Sequence, residues 1–110
     1  MKLPNADRAL IPDAKLTHYL LDEEHPVGGA KARFFKQLGF AVERPEQLRD
    51  ALLEVARSGE AHEISSRFGT KYVVDGDLRS HSGERTARVR TIWLIEPGHD
   101  VPRFVTAYPA

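Results

Sequence analysis

Residues 25 to 31 read His25-Pro26-Val27-Gly28-Gly29-Ala30-Lys31. They set an imidazole, the side-chain type suited to proton transfer near neutral pH, before two glycines and an ammonium. Glycines let backbone amides approach a ligand closely, and a helix starting there turns its unpaired N–H groups and the positive end of its dipole toward an anion. The other reading is an ordinary loop feeding a helix. It is not a Walker loop, because the spacing and the Lys-Ser/Thr pair are absent. A second set lies further on, in Gly69-Thr70-Lys71-Tyr72, Arg90-Thr91-Ile92-Trp93 and Thr106-Ala107-Tyr108. Cations and hydroxyls projecting from neighbouring strands can hold a phosphodiester and stabilise charge that builds on it. Strands also favour Thr, Tyr and Trp for packing alone. The candidate catalytic residues are therefore His25, Lys31, Lys71, Thr106 and Tyr108, with Gly28, Gly29 and Arg90 as phosphate ligands.

No metal or cofactor is expected. Of the five histidines, His18 stands four before Asp22 and His62 adjoins Glu63, but no HExxH or comparable ligand spacing occurs. Cysteine is absent, which removes disulfides, thiolate catalysis and Cys-type zinc sites and suits a reducing cytoplasm. No apolar run approaches the ~20 residues that span a bilayer, and the first residues lack the apolar stretch of a secretory signal. A cytoplasmic protein without membrane contact is the expectation. Sixteen basic and sixteen acidic side chains cancel, so no global field draws in a polyanion and any grip on one is local. Lys31, Arg33 and Lys36, and again Arg85, Arg88 and Arg90, are basic stretches; each is a solvated face, or both form a phosphate surface if they share a cleft.

Elements to position these residues are legible. At 110 residues the chain is one domain, 1–110, able to bury roughly two thirds of its unfolded surface. Pro12 opens a helix to about Leu21, with Leu16, Tyr19 and Leu20 as its apolar stripe. A second helix runs from about Gly29 to Leu38, capped by Gly39, and a third from Pro45 to Arg57, stopped by Gly59. From Ala61 the period becomes two, giving strands over Ala61–Phe68, Lys71–Leu78, Ala87–Glu96 and Val101–Tyr108. Short connections favour an antiparallel meander. The fold class is α+β, three N-terminal helices followed by a four-stranded antiparallel β-sheet. Phe34, Phe35, Leu38, Leu48, Leu52, Val73 and Trp93 are its expected core.

The stretches Lys2-Leu3-Pro4-Asn5-Ala6, His25 to Phe35 with Leu38-Gly39-Phe40, Phe68-Gly69-Thr70-Lys71-Tyr72, Val89 to Trp93 and Thr106-Ala107-Tyr108-Pro109 resemble a family of small, functionally uncharacterised bacterial domains. The resemblance covers essentially the whole chain. With its basic residue at a helix mouth and its Thr-x-Tyr ending, the helices-then-sheet order in turn resembles the metal-independent ribonuclease toxins grouped with barnase, EndoU, colicin D and RelE. That implies RNA as substrate, cleaved by 2′-hydroxyl transesterification with His25 as general base or acid, and a cognate antitoxin or immunity protein as partner. The competing expectation, which neutral charge favours, is a noncatalytic interaction module of immunity-like or accessory kind. The two differ in whether the candidate residues converge.

Overall fold

The computed structural model describes residues 1–110. Its first helix, α1 (Asp13–Lys15), continues without a break into a π-helical segment, Leu16–Leu20, closed by the Leu21 N–H donating to the Leu16 carbonyl at 2.8 Å. Then come α2 (Gly29–Gln37) and α3 (Pro45–Ser58). Gly39 ends α2 in the left-handed region, φ 92°, while Phe40 N–H returns to the Phe35 carbonyl, a closure open to a residue without Cβ. Pro45 takes the first turn of α3, where its missing N–H has no partner to lose.

The second half is a meander of β1 (Glu60–Ser66), β2 (Gly69–Arg79), β3 (Thr86–Ile95) and β4 (Arg103–Pro109), antiparallel throughout and in the order β1-β2-β3-β4. Three helices followed by a four-stranded antiparallel sheet is the architecture the period change near residue 60 predicts. The free edge of β4 is covered: Leu10 N–H donates to Pro102 O and Phe104 N–H to Leu10 O, both at 2.9 Å, so the chain enters α1 beside that edge.

α3 packs across one face of the sheet, on β2 and β3, and the first helix and α2 lie against β4. Leu48, Leu52 and Val55 of α3, Phe35 of α2 and Leu16 and Leu20 bury against Tyr72, Val74, Leu78, Val89, Trp93 and Phe104. Two core expectations need correcting. Val73 is paired with Ile92 between the buried Tyr72 and Val74, so strand alternation turns it to the face away from α3. Phe34 is half-buried and packs at the margin, edge-on to Phe35 at 5.0 Å. Leu52 is fully buried, and Leu52→Ala is expected to cost about 2 to 5 kcal/mol, measured by denaturant unfolding; a loss under ~1 kcal/mol would contradict this packing of α3.

Candidate functional site

Three of the residues singled out by sequence meet at a fourth that was not. Tyr19 Oη stands 2.8 Å from Thr106 Oγ1 and accepts a hydrogen bond from Lys31 Nζ at 3.1 Å. The His25 ring meets the Tyr19 ring edge-on, centroids 5.1 Å apart. Lys15 Nζ and Lys31 Nζ each lie 5.3 Å from the Tyr19 ring centroid, near enough for each ammonium to feel the ring's quadrupole.

Local geometry explains the convergence. In a regular helix Leu16, Tyr19 and Leu20 form one stripe, but the wider π turn leaves Leu16 and Leu20 fully buried while Tyr19 stays half-buried. The phenol is thereby turned out of the core toward β4. In β4 the register shifts, with Trp93 opposite Phe104 and Ile92 opposite Thr106, so Val105 is the extra residue. Strand alternation would put Phe104 and Thr106 on one face; the extra residue leaves Phe104 in the core beside Trp93 and re-aims Thr106 and Tyr108 with Ile92 and Arg90.

The glycine loop serves packing before it serves any ligand. A Cβ on Gly28 would lie 2.7 Å from Tyr19 Cδ1, and one on Gly29 2.5 Å from the Glu23 carbonyl oxygen, so both positions require a bare backbone for α2 to approach Tyr19. The loop amides are also engaged. Val27 and Gly28 N–H donate to His25 Nδ1 at 3.0 and 2.9 Å, and Gly29 N–H donates to the His25 carbonyl at 2.9 Å. Neutral His25 is therefore the tautomer with its proton on Nε2, a hydrogen-bond donor. The N–H groups of Ala30 and Lys31, in the first turn of α2, have no partner within the chain.

The electrostatics set Tyr19 apart. Burial opposes ionisation of its hydroxyl, but the Thr106 hydroxyl, the hydrogen bond and charge of Lys31, and the charge of Lys15 together outweigh it and hold the phenol below its ordinary range. Neither Lys15 nor Lys31 is paired with a carboxylate; Lys36, Arg88 and Arg90 are, with Glu23, Asp77 and Asp75. Arg85 donates to the Gln37 carbonyl at 2.6 Å. Lys36, Arg85, Arg88 and Arg90 are thus already engaged within the chain. In a chain of zero net charge, the lysines at Tyr19 are unneutralised.

The remaining candidates stand further off. Tyr108 is one alternation along β4 from Thr106 and opposite Arg90. Arg90 is held by Asp75 through two bonds, at 2.8 and 3.0 Å, which keep the Asp75 carboxyl below its ordinary range, so its charge is already spent within the sheet. Lys71 is exposed, opposite Leu94, on the same face as Thr106, with its backbone about 12 Å from that of Thr106 by strand spacing and rise. A depression of about 710 Å³ between α3 and the β2–β3 hairpin is lined by Asp50, Glu54 and Asp77 among others. None of the candidates lines it, and its carboxylates repel a phosphodiester. No three His, Asp or Glu side chains converge to hold a metal ion. No helix is long and apolar enough to cross a membrane.

Sequence reasoning missed Tyr19 because it sits at core spacing between Leu16 and Leu20. The one available signal is that Tyr, unlike Leu, carries a hydroxyl that seeks a partner when buried.

The fold is not peculiar to this chain. A chain of the contact-dependent growth inhibition toxin - immunity protein complex from Klebsiella pneumoniae 342 superposes with a TM-score of 0.70, covering 94% of this chain and 95% of that one at 13% identity. At such identity the likeness is one of fold. No curated protein matches the sequence significantly. A family model does match, over residues 2–110, and the chain belongs to that family, described as Domain of unknown function (DUF6883).

Proposed function

We propose that the chain is a toxin-like endoribonuclease that cleaves RNA without metal, by attack of a ribose 2′-hydroxyl on the adjacent phosphorus. The observation that carries this reading is the meeting of Lys31, Thr106 and His25 around Tyr19, with both nearby ammoniums free of carboxylates. Transesterification needs a proton acceptor, a proton donor and cations at the charged phosphorane. Lys31 supplies the charge, Thr106 Oγ1 and His25 Nε2–H donate to phosphate oxygens, and the unpartnered Ala30 and Lys31 amides add the helix terminus to the same anion. Tyr108, one alternation along, offers a ring on which a base stacks. Lys71, ~12 Å off by strand spacing, suits a neighbouring phosphate rather than the scissile one.

The fold shared with a chain of a toxin - immunity protein complex supports a place in such a system, with a cognate protein as partner. It supports the immunity-like, noncatalytic module as well. Cleavage decides between them. Purified protein incubated with pooled cellular RNA and a chelator should leave 2′,3′-cyclic phosphate ends or their hydrolysis products. RNA left intact under these conditions, with the protein folded, would turn the reading to the interaction module.

A further inference from the structure

We propose that Tyr19 is the group that takes the proton from the attacking 2′-hydroxyl, and that Lys31 returns one to the leaving 5′-oxygen. The proposal rests on the RNA-cleaving reading of this site and assigns its proton transfers.

Three observations carry it. His25 spends Nδ1 on two backbone amides, so in its neutral form the nitrogen left to face a substrate carries a proton and accepts none. A base must then come from elsewhere in the cluster. Tyr19 Oη lies within hydrogen-bond distance of both other groups assigned to phosphate, Thr106 at 2.8 Å and Lys31 at 3.1 Å, so a hydroxyl bound next to them is in reach of it. Finally, Lys15, Lys31 and Thr106 all favour the phenolate; the single Thr106 hydroxyl proton points to the phenolate at rest and turns to the phosphate oxygen once Tyr19 has taken the 2′-proton and donates to Thr106 in turn. A base works best when its proton affinity is near the operating pH, and these neighbours move a phenol toward it.

The proton balance closes within the site. The 2′-hydroxyl proton passes to the Tyr19 phenolate as the 2′-oxygen bonds to phosphorus. The bond from phosphorus to the 5′-oxygen breaks, and that oxygen takes a proton from the Lys31 ammonium. This leaves a phenol and an amine 3.1 Å apart, and transfer of the phenolic proton to the amine restores the starting state. No external acid, base or metal enters the balance.

The test uses the whole chain and pooled RNA in chelator. With ζ-carbon-labelled tyrosine and no RNA present, the Tyr19 phenol should titrate below that of Tyr72, which burial pushes up. Lys31→Met should raise the Tyr19 titration and shift the acid limb of the cleavage profile upward with it. Tyr19→Phe keeps the ring and removes the oxygen, and is expected to cleave about 10²- to 10⁴-fold more slowly. Fluorotyrosine at position 19, a more acidic phenol, should shift the acid limb downward while the fold is kept. Wild-type cleavage with Tyr19→Phe within about threefold of it, or an acid limb indifferent to fluorotyrosine, overturns the assignment while leaving the RNA reading standing. Wild-type protein that never cleaves overturns both.

Discussion

Lys31→Met is expected to lower RNA cleavage by about 10²- to 10³-fold, the usual consequence of losing one preorganised donor at a developing oxyanion. Lys31 is the only side chain that bonds the Tyr19 hydroxyl while standing in the first turn of α2. In the proposed reaction its ammonium and the helix dipole act on one phosphate. It makes no ion pair whose loss would destabilise the fold, so the thermal midpoint should move by no more than a few degrees. Lys36→Met is the matched control, because the Lys36 ammonium is paired with Glu23 at 2.9 Å. It should cleave within about threefold of wild type, since the ammonium it loses is already neutralised. Initial rates in chelator at fixed ionic strength check both. Equal losses in the two variants would point to a general charge effect instead of a site at Tyr19.

The largest stability effect is expected at Trp93. Its ring is fully buried, edge-on to Phe104 at 5.2 Å, and its indole N–H donates to Thr91 Oγ1 at 2.8 Å, which in turn donates to the Val74 carbonyl at 2.9 Å. Trp93→Ala removes the largest side chain of the core and leaves a cavity, at a cost of about 3 to 5 kcal/mol. Against the ~5 to 15 kcal/mol available to a domain of this size, that leaves a measurable unfolded population. Thr91→Val is the finer probe: it nearly preserves volume but strands the indole N–H, at about 1 to 3 kcal/mol. Denaturant midpoints should fall in the order wild type, Thr91→Val, Trp93→Ala. The reverse order of the two variants would contradict the packing around Trp93.

The two probes report different kinds of information in the chain. That Trp93 is buried follows from alternation in β3, where Val89, Thr91 and Trp93 share a face, and the structure places that face against the helices. The α3 stripe of Leu48, Leu52, Val55 and Ala56 between Pro45 and Gly59 is equally local. Residues of one stripe lie within a few positions of each other, so hydrophobic spacing alone fixes which side is buried. The order of elements, the meander and the α+β class follow the same way, because short turns leave antiparallel neighbours as the simplest connection.

The details of the candidate site are of another kind. Tyr19 reads as a core residue by spacing and becomes the hub of the candidate site through a π turn. Thr106 reads as a facemate of Phe104 and is turned away from it by one extra residue at Val105. Val73 and Val74 are alike in type, yet one faces α3 and the other does not. Arg90 looks like a free cation until Asp75, fifteen residues earlier, is found opposite it. The glycines and His25 looked ligand-directed, and their geometry is first spent on each other and on Tyr19. Sequence by itself determined which segments are helix or strand and which basic and hydroxyl residues were worth attention. Only the tertiary structure decided which of them meet, because a one-residue shift in winding or register costs little locally yet reverses the face on which a side chain stands, and packing across the whole domain selects the shift.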